Sequence, residues 1–241
     1  SKGATVLDQT GLAQKGGAVT THVRISNDPK DIHAVRIAAG EADLVLGADM
    51  VVVNDYWSLS KIRADRTEVV LNTYQAMPGT FTTRPDMQFP TQGIIDAVKL
   101  ALAGRDPLMI EATDIATALL GDAIAANLFM LGYAWQKGLV PLSFESIDRA
   151  IELNAAAVAM NRQAFAWGRI AAHDPAAARA AAGLGSRPEA GVGAASAATT
   201  EPLDDLSLST NLDELIARRE RFLTDYQNAA YAARYRGLVE T

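Results

Sequence analysis

The residues best equipped for chemistry lie close to the start of the chain, in the run Asp8-Gln9-Thr10-Gly11-Leu12-Ala13-Gln14-Lys15-Gly16-Gly17. Thr10, Gly11, Gln14, Lys15, Gly16 and Gly17 form a candidate substrate- or cofactor-proximal loop, because glycines let backbone approach a ligand closely while Lys15 offers a cation and Gln14 an amide. The strand-like Ala4-Thr5-Val6-Leu7 runs into it, and ligands of open α/β sheets bind at strand ends. On pattern alone a plainer reading is favoured, in which Gly16-Gly17 makes a tight turn and Lys15 is solvated. His22, His33 and His173 are the only histidines, and none stands at a catalytic spacing from a serine or carboxylate. His22 alternates with Thr20 and Arg24, which predicts an exposed or hydrogen-bonded strand histidine. Glu111, Asp114 and Asp122 cluster in sequence, yet Asp114 and Asp122 stand where helix caps are expected, which favours capping over paired-carboxylate catalysis or magnesium binding. No catalytic residue and no metal ligand is assigned.

The elements that must position these residues form an α/β pattern. Ala4 to Leu7 and Ala18 to Ile25 read as strands, as do Ala42 to Leu46 and Glu68 to Asn72. Asp49 can cap a helix running through Trp57, Leu59 and Ile62. Short apolar strands alternating with helical runs suit a parallel sheet covered on both faces. Further on, Ile124, Leu128, Leu131 and Trp135 mark one helix face, stopped by Lys137, Gly138 and Pro141. Ser143 can cap a second helix with the stripe Phe144, Ile147 and Ile151, and Val158, Phe165 and Trp167 continue helical spacing. Trp57, Trp135 and Trp167 read as core or interface anchors. From 174 to 210 the composition turns to Ala, Gly, Ser, Thr and Pro, which predicts a flexible linker, with the Ala-rich Pro175 to Ala182 helical at its start. Asn211 caps a last helix with Glu214 as its box partner, and the arginines Arg218, Arg219, Arg221, Arg234 and Arg236 give that segment a solvated face diluted by Glu220 and Asp225.

Composition narrows the function. The chain of 241 residues is 49% hydrophobic, enough for one α/β domain with an appendage. A net charge of −6 argues against duplex nucleic acid as a partner, since phosphate neutralisation needs a basic face. With no cysteine, the chain cannot ligate an iron–sulfur cluster through thiolates or hold a disulfide. The most apolar stretches are interrupted by Asp49, Asn54, Gly121, Asp122 and Asn127, so no membrane span is expected and a cytoplasmic protein is the default. The start, Ser1-Lys2-Gly3, carries no signal-peptide pattern and reads as cut from something longer.

Several long runs resemble the gamma-type domain of the thiamine-dependent 2-oxoacid:ferredoxin oxidoreductases, most closely the long single-chain indolepyruvate ferredoxin oxidoreductases. The first is Val6 through Val19; the second is Ile32-His33-Ala34-Val35-Arg36-Ile37 with Gly40 through Gly47. The third is Asn127 through Tyr133 with Gln136 through Pro141 and Arg149 through Asn154, ending in Ala164 through Arg169. The resemblance covers about Lys2 to Arg169. It implies a Rossmann-like, mostly parallel sheet whose first glycine-rich strand is missing, to which the residue patterns above add a helical subdomain and a C-terminal helix after a linker. It gives a gamma-type domain over 1–173, to which the composition and helical pattern add the linker over 174–210 and the start of a helical segment over 211–241.

The implied reaction is oxidative decarboxylation of an arylpyruvate with coenzyme A to acyl-CoA and carbon dioxide, with electrons passed to ferredoxin. Thiamine diphosphate, magnesium and 4Fe–4S clusters are implied for the parent enzyme, none of them bound by this chain alone, which is then inactive alone. Its implied partners are the thiamine-binding and iron–sulfur domains of that enzyme, ferredoxin, and further copies in a homo-oligomer. The resemblance turns the Gln14 to Gly17 loop towards the neighbouring catalytic domain or bound substrate. Family members often carry cysteine where Ala48 stands, so no thiol role transfers. Two other readings remain: a free-standing Rossmann-like nucleotide-binding module, and a structural dimerisation domain using the face around Phe129, Tyr133 and Trp135.

Overall fold

The parallel sheet is short and carries helices on both faces. The computed structural model describes residues 2–10, 18–76, 89–185, 212–226 and 228–239. Within the unit that runs to Gly193, β3 (Leu44–Gly47), β4 (Glu68–Asn72) and β5 (Leu108–Ile110) form a parallel sheet in the order β3-β4-β5. Side chains alternate across it, as the period of a strand requires. Val45, Val69, Leu71 and Met109 pack with Met50 and Val53 of α1 (Met50–Val53) and with Ile94, Ile95 and Val98 of α3 (Thr91–Ala101). Between these helices lies α2 (Tyr56–Leu59). Leu44, Val70, Leu108 and Ile110 face the opposite layer. That layer contains α4 (Ala112–Leu120), α5 (Ala126–Gln136), α7 (Val158–His173) and α8 (Pro175–Ala181). A strand buried on both faces reads as a continuous apolar run, and Val69-Val70-Leu71 is fully buried.

The first two strands depart from the expected sheet. β1 (Gly3–Thr10) and β2 (Val19–Ser26) pair antiparallel with each other as a separate two-stranded ribbon. The run from Asp49 is two short helices instead of one: the Asp49 carboxylate accepts from the N–H groups of Val51 and Val52, and the chain restarts at Asp55. Trp57 is therefore not a core anchor; it is 61% exposed, edge-on to Tyr56.

The closest packing in the helical layer is between α5 and α7. A Cβ built at Gly132 would lie 2.1 Å from the Phe165 carbonyl oxygen, and one at Gly168 would lie 1.9 Å from the Phe129 carbonyl oxygen. The two helices thus meet backbone to backbone at reciprocal glycines, with Phe129 and Phe165 buried beside the crossing. Around it α5 is covered on two sides. Phe129, Met130, Tyr133 and Ala134 enter the main core, whereas Leu128, Leu131 and Trp135 pack on Ile147, Ile151 and Phe165, against α6 (Phe144–Asn154). Ile124, expected on the same stripe, sits in a 3-10 turn before the helix and is 62% exposed. Ser143 caps α6 as expected, its hydroxyl accepting from the Ser146 N–H. The helix stops at Ala155, whose φ of 56° is left-handed without a glycine to signal it.

Residues 174–185, expected within the linker, are packed against the core. Asp174 caps α8, and Ala178 is fully buried. The small side chains that suggested a linker are what lets this helix lie close to its neighbours. In the second unit, α9 (Leu212–Tyr226) and α10 (Ala229–Val239) replace the single last helix, with the Asn228 side chain accepting from the Tyr231 N–H at the restart. Glu220 of α9 pairs with Arg236 of α10 at 3.1 Å. Among the described residues, no helix is long and apolar enough to cross a membrane.

Because the α5–α7 contact leaves no room for a methyl group, Gly132→Ala and Gly168→Ala are each expected to destabilise the chain by at least about 1–3 kcal/mol. Gly93→Ala in α3 meets nothing within 4 Å and is expected to stabilise it by roughly 0.5–1 kcal/mol. Denaturant unfolding of the three variants checks both signs.

Candidate functional site

Ligands of open parallel sheets bind at the carboxyl ends of the strands. Here that edge is organised by one buried amide. Asn72 ends β4 and is 2% exposed. Its Nδ2 donates to the Ala48 carbonyl after β3 (3.0 Å) and to Thr113 Oγ1 after β5 (2.8 Å). Its Oδ1 accepts from the Ala112 N–H at 3.1 Å, with longer contacts to the N–H groups of Thr113 and Tyr74 at 3.4 Å each. Residue Glu111, at the N-cap of α4, makes no side-chain cap, so Asn72 satisfies that helix start from another strand. Glu111 is turned to Arg179 of α8, which also donates to the Leu184 carbonyl at 3.0 Å. The edge is thereby closed by four separate segments.

The acidic residues divide. Asp122 is a cap, its Oδ1 accepting from the Ile124 N–H at 2.9 Å. Asp114 is not; it lies inside the first turn of α4, where burial pushes its carboxyl above the ordinary carboxylate range. A half-buried carboxyl of raised pKa can hold a proton closer to neutrality than a free one. Among the described residues, no group of three His, Cys, Asp or Glu side chains could hold a metal ion.

The candidate loop found in the sequence leaves the ribbon and not the parallel sheet, because β1 and β2 pair only with each other. Thr10 ends β1 opposite Val19; Gly11, Gln14, Lys15, Gly16 and Gly17 lie outside the described residues. Three residue pairs behind the Thr10–Val19 pair, opposite Leu7, His22 is hydrogen-bonded as expected but buried, at 4% exposure. The Ile37 N–H donates to its Nδ1 (3.2 Å), so that nitrogen carries no proton, and Nε2–H donates to Gln9 Oε1 at 3.1 Å. Burial, and next the cations Lys61, Arg36 and Arg24, hold this imidazole below its ordinary pKa. His33 and His173 are exposed. The network is one that sequence reasoning missed, as it missed Asn72: Ile37 and Thr113 are distant in sequence from the side chains they meet.

A Rossmann-like α/β core with this strand order defines the broad class. The family model described as pyruvate ferredoxin/flavodoxin oxidoreductase matches residues 2–171, and the chain belongs to that family. It is similar to the indolepyruvate oxidoreductase subunit IorB of Archaeoglobus fulgidus, with 27% identity over 160 residues, covering 66% of this chain and 75% of that protein. The subunit IorB of Methanothermobacter thermautotrophicus is 31% identical over 151 residues, covering 60% of this chain and 68% of that protein.

Asn72→Ala leaves the Ala112 N–H and the Ala48 carbonyl without their partner, and is expected to cost about 1–3 kcal/mol in denaturant unfolding. The His22 sign follows from its lowered native pKa: below the unfolded value of about 6.5 the unfolded chain takes up a proton that the native one refuses, so the His22 contribution is present above that pH and lost as pH falls towards the native pKa. The stability advantage of the native chain over His22→Gln is therefore expected to shrink between about pH 7.5 and about pH 5.5, as followed by unfolding at each pH.

Proposed function

We propose that this chain is the gamma-type part of an indolepyruvate:ferredoxin oxidoreductase, which decarboxylates an arylpyruvate oxidatively with coenzyme A, yielding acyl-CoA and carbon dioxide and passing electrons to ferredoxin. The observation that carries the reading is the family match over residues 2–171, supported by similarity to two IorB subunits. A cysteine-ligated iron–sulfur cluster does not fit this chain, which has no cysteine. Nor do the described residues offer a three-carboxylate or histidine set for magnesium beside thiamine diphosphate. The clusters and thiamine of such an enzyme, and the electron-transfer steps they carry, belong on partner domains or subunits. This chain's part is binding and orientation: the ribbon presents the loop 10–17 to a neighbouring catalytic domain or bound substrate, and Asn72 separately fixes the carboxyl edge of the parallel sheet. In this reading Gln14, Lys15, Gly16 and Gly17 are binding residues and none is catalytic.

The test is anaerobic ferredoxin reduction by the assembled oxidoreductase. Activity is expected to need indolepyruvate, coenzyme A and this chain together. Lys15→Ala in the assembly is expected to raise the KM for indolepyruvate or coenzyme A; unchanged turnover and saturation would remove the loop from the site. Equal activity of the assembly without this chain would refute the proposal.

A further inference from the structure

Tyr56 and Trp57 are the two most exposed aromatic side chains among the described residues, at 73% and 61%. They are nevertheless held in place. Their ring centroids are 5.5 Å apart in an edge-to-face contact, and the Arg36 guanidinium carbon lies 5.8 Å from the centroid of the Trp57 ring. The backbone beneath is braced as well. Ser60 Oγ donates to the Trp57 carbonyl at 2.9 Å, while the Gly40 and Ala42 N–H groups donate to the Ser60 and Lys61 carbonyls at 2.9 and 3.2 Å, which ties the segment carrying Arg36 to the one carrying Trp57. Arg24 Nη2 donates to the Arg36 carbonyl at 3.1 Å, and below α2 the side chains of Leu59 and Ile62 join the core. A surface held this firmly has little conformational entropy left to lose when something binds it.

Two unpaired charges flank the rings. Asp55, the residue before Tyr56, is exposed and stands at the N-cap of α2, yet its side chain makes no cap bond. Among the described residues no salt bridge or hydrogen bond engages its carboxylate. The exposed Arg36 guanidinium has the Trp57 face as its contact and no carboxylate among the described residues, so the two charges do not satisfy each other.

We propose that this platform is a contact between two copies of the chain, in which Arg36 of each copy pairs with Asp55 of the other and the Tyr56–Trp57 pairs meet about a two-fold axis. Charge and shape select this occupant. An aromatic pair so exposed is a surface and not a pocket, whereas small ligands are enclosed over most of their area. Nucleic acid is disfavoured by the net charge of −6. A uniformly acidic protein would meet Asp55 and a uniformly basic one Arg36, but a second copy turned about a two-fold axis offers the same two charges in the opposite order. Tyr, Trp and Arg are also the side chains that dominate binding energy at protein interfaces. Phe129 and Tyr133, around which a pairing face was expected, are buried inside the chain and leave that role open. A contact centred on two aromatic pairs is small, so the dimer is weak and reversible. It is independent of the reaction proposed above and of the loop 10–17.

Sedimentation velocity of the intact chain from about 1 µM to about 200 µM is expected to show a reversible monomer–dimer equilibrium, which Trp57→Ala weakens about tenfold or more. Arg36→Asp and Asp55→Arg each set like charges opposite one another at both contacts, and each variant alone is expected to stay monomeric over that range. Their circular dichroism is expected to match that of the native chain, since neither side chain caps a helix or holds an ion pair. Mixing the two single variants is the decisive arm. One copy then carries two acids and the other two bases, both contacts are complementary, and the dimer is expected to return. Charge reversals that leave dimerisation unchanged, or a mixture that stays monomeric, would overturn the proposal. A native chain that stays monomeric, with the Trp57 indole N–H resonance shifting only when a partner subunit is added, would assign the platform to that subunit and overturn it too.

Discussion

The side chain of Asn72 is the constraint on which the rest of the molecule depends. A parallel sheet leaves its crossovers unconnected at the carboxyl edge, and this one amide joins three of them: the turn after β3, its own strand end, and the start of α4. A carboxamide is suited to the position because it donates and accepts at once, which neither aspartate nor a hydrophobic residue of the same size can do. Through α4 the effect reaches the helical layer, since Ala112, Ile115 and Ala116 enter the same core as α5 and α7. There the second constraint takes over, the reciprocal glycine contact that lets two helices approach until each backbone touches the other. The sheet edge is set by hydrogen bonding and the layer behind it by steric fit.

How much of this could be read from the chain depended on how local the cause is. Glu68 to Asn72 was legible as a strand with its true ends, and Ser143 as a cap, because each signal lies within a few residues of its effect. The stripe Leu128, Leu131 and Trp135 was legible as a buried face, but not that it serves the smaller cluster while Phe129 and Tyr133 enter the main one. α5 is buried on two sides, and periodicity reports one. The helix α8 was legible in its alanines, whereas its packing was concealed by the same composition: alanine suits both a linker and a helix pressed close to a core, and only the burial of Ala178 decides between them. The strands β1 and β2 were legible as strands, whereas their partner was not, since alternation fixes which way side chains point and not which strand lies alongside.

The candidate site was legible in a complementary way. The family runs contain Gly132, Gly168 and the loop 10–17, and for the two glycines the structure supplies a steric reason. The polar residues with structural consequence at the sheet edge, Asn72 and the Glu111–Arg179 pair, carry no local motif. Each meets its partner across tens of residues, and no pattern in a short window announces such a bond. His22 is intermediate: its place on a strand was legible, its burial beside Ile37 was not.

A chain without cysteine cannot ligate an iron–sulfur cluster through thiolates, and in the reading proposed above it holds and orients what its partners carry. The measurement that bears on this most directly is the distribution of iron, acid-labile sulfide and thiamine diphosphate after the assembled oxidoreductase is dissociated anaerobically and its parts are separated. The account predicts that all three remain with the partner and that this chain elutes free of them. Stoichiometric iron or thiamine retained by this chain would contradict it.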